Sequence, residues 1–107
     1  MAGPGVDVGA GGGLFNDLNA SMTLIDSPVS SNTASSAAAD GLAVGGGLFN
    51  VGSLTLIDSP VTTNAAVVLP GGDALGGGIL NGSLFGAALT LIDSPVSGNT
   101  PDNCVTC

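Results

Sequence analysis

Lysine, arginine and histidine are absent from this 107-residue chain, and so are glutamate, glutamine, tyrosine and tryptophan. The eight acidic groups are all aspartate, which leaves a formal charge of −8 with no basic group to balance it. Such a polyanion has nothing with which to neutralise phosphates, so no nucleic-acid partner is expected, and anionic membrane surfaces are disfavoured for the same reason. Without histidine there is no Ser-His or Cys-His dyad and no imidazole metal ligand. Without lysine there is no Schiff base and no phosphate-binding amine, so the Gly-Gly-Gly runs are not P-loops, and no G-x-G-x-x-G spacing occurs either. Aspartate, serine, threonine and cysteine are the only reactive groups left, and an enzyme is not expected. The three aromatic residues are all Phe, which removes most of the large anchors that dominate protein–protein hot spots.

Targeting and spanning signals are missing too. The start, MAGPGVDVGAGGG, has neither the basic region nor the apolar run of a signal peptide. Ala74 to Ile92 carries no charge over 19 residues, but a Gly triplet, an Asn and the lack of flanking cations argue against a transmembrane helix. Its alignment with two other stretches of the chain argues against it more strongly.

What the chain does have is repetition. TLIDSPV occurs three times, beginning at Thr23, Thr55 and Thr90. Each occurrence closes a longer unit that opens on three glycines: Gly11–Asn32, Gly45–Asn64 and Gly76–Asn99, of 22, 20 and 24 residues. The segments between them are TASSAAADGLAV (33–44) and AAVVLPGGDAL (65–75). A period of this size is the signature of a solenoid or a similar array. The copies differ in length only between the GGG-x-x-N and TLIDSPV blocks, which marks a variable turn between two fixed strands.

The blocks are rich in Gly, Val, Ile, Thr, Asn and Pro, all poor helix formers. Alternation fits them better. Met22, Leu54 and Leu89 share one column, and Leu24, Leu56 and Leu91 share the column two residues on. An all-Thr column lies between them, as in a half-buried strand with leucines inward and hydroxyls outward. Asp-Ser-Pro then supplies a bend, because Pro lacks the N–H that a central strand uses. Val29, Val61 and Val96 return apolar side chains to the core. Asn16, Asn50 and Asn81 form one Asn column, and Asn32, Asn64 and Asn99 another. Stacked in register, such amides can bond to the copies above and below. The Gly triplets suit a corner where any Cβ would crowd the adjacent coil.

These strings, GGGL at Gly11–Leu14 and Gly45–Leu48, GGGI at Gly76–Ile79, and V-x-x-N ending at Asn32, Asn64 and Asn99, resemble the repeats of right-handed parallel β-helix proteins. The closest likeness is to polymorphic outer-membrane and autotransporter-passenger proteins, with their GGA[IL] and FxxN motifs. Two departures stand out: Val replaces Phe in the second motif, and Pro stands where Ser or Thr is usual. The resemblance implies an all-β fold, a short right-handed parallel β-helix of about three coils. It also implies an extracellular or cell-surface location and an adhesin- or passenger-like role. On this reading residues 1–10 are a Gly-rich leader, 11–103 the repeats, with 33–44 and 65–75 as excursions, and 104–107 a C-x-x-C tail. Neither end shows a polar cap, so further coils of the same protein, or self-association end to end, are expected.

Candidate sites are few. Asp26, Asp58 and Asp93 form a column whose members would stack about 4.8 Å apart in a β-helix. They read as turn residues splayed into water, or alternatively as a calcium or carbohydrate site. The intervening segments could also hold them out of register. A β-helix lyase is disfavoured by the lack of a basic residue to take the proton, and a carboxylate-only glycoside hydrolase would have little groove to work with. No cofactor is expected beyond that calcium alternative. AGPGVDVGA (Ala2–Ala10) echoes a calcium-binding nonapeptide but stands alone, and such sites need tandem copies. Cys104 and Cys107 are placed to form a disulfide or to pair with another chain. Asn19-Ala-Ser and Asn81-Gly-Ser are glycosylation sequons. Ile25, Ile57 and Ile92 point outward if the leucines point inward, making either an association stripe or a strip covered by the excursions.

Overall fold

The computed structural model describes residues 8–37, 41–82 and 86–107. Among them every regular element is a short strand, and every strand pairing is parallel. The first coil runs through β1 (Val8–Ala10), β2 (Leu14–Asn16), β3 (Ser21–Ile25), β4 (Val29–Ser30) and β5 (Thr33–Ser36). The second repeats it as β6 (Leu42–Val44), β7 (Leu48–Asn50), β8 (Ser53–Ile57), β9 (Val61–Thr62) and β10 (Ala65–Val68). The third contributes β11 (Asp73–Leu75), β12 (Ile79–Asn81), β13 (Ala88–Ile92) and β14 (Val96–Ser97), and β15 (Cys104–Val105) begins a fourth turn. Equivalent strands pair to give five columns: β1-β6-β11, β2-β7-β12-β15, β3-β8-β13, β4-β9-β14 and β5-β10. This is a parallel β-helix of about three coils. No helix of the described residues is long and apolar enough to cross a membrane, and the uncharged stretch 74–92 is accounted for in its described part by β12 and β13.

The coil is larger than its GGG-to-Asn unit. The strands β5, β6, β10 and β11, drawn from the segments between the repeat units, form two faces of the solenoid, and Val8–Ala10 of the Gly-rich leader already pairs with β6. These two faces pack on each other so closely that a Cβ on Gly9 would strike the Ser35 backbone. Ala34, Ala43 and Ala66 are buried between them. Small residues are needed because the sheets nearly touch.

The larger side chains collect between the other three columns. Leu48, Leu54, Leu56, Val61 and Ile79 are almost completely buried, joined by Val29. The central coil dominates this core because a coil covers it on each side. In the flanking coils Leu14, Met22, Leu24, Leu89 and Val96 are only partly covered, and Leu91 of the third coil is 40% exposed. Each fully buried Leu or Ile contributes roughly 2 kcal/mol.

Each glycine of a triplet has its own reason. Gly45 has φ 62°, which a residue bearing a Cβ adopts only with strain. A Cβ on Gly46 would fall on the carbonyl oxygens of Ala65 and Gly77, and one on Gly47 would sit 2.9 Å from Asn64 Nδ2. The triplet therefore lets one corner of the coil close against both the opposite wall and the next coil. A second corner carries its strain openly. Ser31 and Thr63 have φ of 58° and 59°, where the third coil uses Gly98 at 67°. A β-branched residue is especially disfavoured there.

Two substitutions test this corner chemistry in urea denaturation. Gly46→Ala should cost more than about 3 kcal/mol, because only backbone movement can relieve the overlap. Thr63→Gly should stabilise by about 0.5 kcal/mol, since relief of left-handed strain slightly exceeds the added chain entropy. A neutral Gly46→Ala would mean that the corner is looser than its contacts imply.

Candidate functional site

Most of the polar residues singled out by their repetition are consumed by the fold. Asn16, Asn50 and Asn81, all buried, stack through the second column. Asn16 Nδ2 donates to Asn50 Oδ1, and Asn50 Nδ2 to Asn81 Oδ1, each at 2.8 Å. The same amides donate to the carbonyls of Ser53 (2.9 Å) and Ala88 (3.0 Å), fastening one strand of the coil to the next. In the second ladder both N–H groups of each Asn converge on the next Oδ1. Asn32 N and Nδ2 donate to Asn64 Oδ1 at 2.9 and 3.0 Å, and Asn64 N and Nδ2 to Asn99 Oδ1, both at 2.9 Å. The ladder then continues to a residue outside the repeat columns: Asn99 N and Nδ2 donate to Asn103 Oδ1 at 3.0 and 3.1 Å.

A third ladder is made by serine. Ser27 N donates to Ser59 Oγ at 3.0 Å and Ser59 N to Ser94 Oγ at 2.9 Å. Each hydroxyl in turn donates to the carbonyl of the Ile two residues before it, at 2.8, 2.8 and 2.9 Å. Ser is the residue that holds the Asp-Ser-Pro corner together. It is as regular in the sequence as the aspartates, but an uncharged hydroxyl beside a carboxylate gives no sign there of its bond to the next coil. Proline keeps its place because only its carbonyl is used: Pro60 O accepts from Val29 N at 2.8 Å and Pro95 O from Val61 N at 2.9 Å.

The aspartates lie on the outside of this corner. Asp26, Asp58 and Asp93 have φ of 50°, 50° and 48°, a left-handed conformation that Asp tolerates better than most residues. They are in register, since Ile25, Ile57 and Ile92 pair directly and Asp26 N donates to Ile57 O (3.0 Å) and Asp58 N to Ile92 O (2.9 Å). The intervening segments do not displace them. Their side chains are exposed, and no group of three or more His, Cys, Asp or Glu that could hold a metal ion occurs among the described residues.

What is left for recognition is the outer surface. On the third column three rows run along the solenoid axis: Ser21, Ser53 and Ala88; Thr23, Thr55 and Thr90; Ile25, Ile57 and Ile92. Ile25 is 59% and Ile92 45% exposed, with Ile57 half-buried between them, so the described residues of 33–37, 41–44 and 65–75 do not fold over this stripe. On the second column Phe15, Phe49, Leu80 and Val105 make another apolar row, with the two Phe rings stacked at 5.0 Å. No protein-family model, no curated protein and no solved structure matches this chain.

Three smaller features complete the site. A hollow of about 120 Å³ beside Asn19, Ser21, Val51 and Gly52 is smaller than the pockets that usually hold small ligands. Of the two sequons, Asn81 has its amide locked in the ladder, whereas Asn19 is exposed with φ 63°. Cys104 and Cys107 are joined by a disulfide. Residues 1–7, which hold most of the nonapeptide-like segment, lie outside the described residues.

The division between inner ladders and outer rows is measurable. Asn50→Ala should cost about 3 kcal/mol or more, because it strands the buried Asn81 Oδ1 and Gly52 N, the latter now bonded to Asn50 Oδ1 at 3.1 Å. Asp58→Asn, one turn residue further out, should change stability by less than about 0.5 kcal/mol. Thermal melts of the two variants side by side decide it, and equal losses would refute the division.

Proposed function

We propose that this chain is a non-enzymatic structural and surface-interaction element, part of a longer extracellular or cell-surface protein, adhesin- or passenger-like, of the kind its repeats resemble. One observation carries the reading. Among the described residues no buried side-chain nitrogen or oxygen lacks a hydrogen-bond partner, so the inner polar groups are spent on the coil. The outer faces, by contrast, bear apolar rows aligned by the strand register. Aligned exposed apolar rows are the usual mark of an association surface. The Ile25, Ile57 and Ile92 row is the most exposed of them, bordered by Thr hydroxyls on one side and Asp carboxylates on the other.

The partner this face suits is another apolar face, including that of a second copy. Replacing all three Ile by Thr keeps the strand preference and removes the stripe. Sedimentation velocity should show the wild type associating and the triple variant monomeric. An unchanged oligomeric state would sink the proposal for this face.

A second reading, a carbohydrate- or calcium-binding module, draws support from the register of Asp26, Asp58 and Asp93, which stacks three carboxylates along one corner. It predicts that calcium raises the melting temperature by several degrees and that changing the three Asp to Asn abolishes the rise. A melt indifferent to calcium would remove the calcium form of this reading.

A further inference from the structure

The Asn ladders have a direction. In every internal step the amide of one coil donates to the Oδ1 of the following coil. The third coil must therefore present its donors, Asn81 and Asn99, to whatever comes next. What comes next is the segment Pro101–Cys107. Asn103 Oδ1 takes both N–H groups of Asn99, and Thr106 O takes Asn81 Nδ2 at 3.2 Å. Thr106 Oγ1 also donates to Asn81 O. The backbone follows the same scheme. Gly78 N donates to Asp102 O at 3.2 Å, Ile79 N to Asn103 O at 3.0 Å, and Gly77 N to Asp102 Oδ1 at 3.1 Å. Cys104 packs against the apolar core, tied by its disulfide to Cys107. Successive ladder asparagines are otherwise 31 to 35 residues apart, yet Asn103 follows Asn99 by four. The segment reproduces a fourth coil's contacts along β12 and the second Asn ladder, without building the rest of that coil.

A different element could make the same contacts: the first coil of a second copy. It carries the same GGG-L-F-N and TLIDSPV strings in the same order, Asn16 and Asn32 would offer the same Oδ1 acceptors, and β3 and β4 would meet β13 and β14 in the register already used twice inside the chain. The geometry points to Pro101–Cys107 as an end cap that competes with the first coil of a second copy, and so holds the chain back from stacking head to tail. This goes beyond the lateral Ile face and is independent of it.

The test is made in the whole 107-residue chain carrying the three Ile→Thr changes, so that lateral association is absent whether or not the Ile proposal holds. There, Asn103→Ala combined with Cys104→Ala and Cys107→Ala weakens the cap. Sedimentation velocity and negative-stain electron microscopy should show concentration-dependent linear stacks in place of a monomer. The chain with an intact cap, added in small proportion, should shorten those stacks, because it offers a first coil but no free third-coil end. A folded, cap-weakened chain that stays monomeric overturns the proposal, as do assemblies that the intact chain fails to shorten. If circular dichroism shows the combined variant unfolded, Asn103→Ala alone decides: stacking supports the cap, and a monomer refutes it.

Discussion

Hydrogen bonding between identical amides in successive coils is the constraint from which the rest of this structure follows. An Asn side chain donates and accepts at once, so a column of them can bond to itself without limit, provided that the copies stay in register. A slip of one residue would unpair a buried ladder and turn the leucines outward together. The two Asn ladders and the Ser ladder thus pin the register at three points around each coil. The strands between those points are only two to five residues long and need such pins.

A narrow coil is the other side of that arrangement. With the amides inside, the GGG corner must close directly onto Asn32, Asn64 and Asn99, and glycine is the only residue that leaves room. The Ala- and Gly-rich faces, β1-β6-β11 against β5-β10, extend the same economy to the far side. The apolar core is confined to the remaining space, where one central coil supplies most of its fully buried residues. That core is small, six buried apolar side chains, and the satisfied polar ladders add hydrogen bonding and register around it, so the polar columns repeat as faithfully as the leucines.

Register also organises the outside. Once the inner columns are aligned, the outward residues are aligned as well, and single exposed Ile or Phe side chains become continuous rows. A surface of this kind is a by-product of repetition that can be put to use in recognition. Among the described residues it gathers no group of three or more carboxylates or thiols that could hold a metal ion.

Much of this was legible in the residues themselves. Period-two alternation in TLIDSPV, the all-Asn columns and the Gly triplets point to parallel coils, because local periodicity and repeat identity depend on neighbours along the chain. They also foretell which side of β3, β8 and β13 faces the core. Other features needed the tertiary structure. That strands within 33–44 and 65–75 form faces of the coil is decided by contact between distant strands, and the Ala- and Gly-rich sequence of those segments carries no alternation to announce it. The serine ladder was hidden behind its charged neighbour. Asn103 joins the Asn column only through a four-residue shortcut in space, which no spacing rule anticipates. Sequence alone determined the repeating unit and its inward face. Only three dimensions decided where the coil closes, what terminates its ladders, and which apolar rows are left to meet a partner, because each depends on residues far apart in the chain being brought within hydrogen-bonding or van der Waals reach.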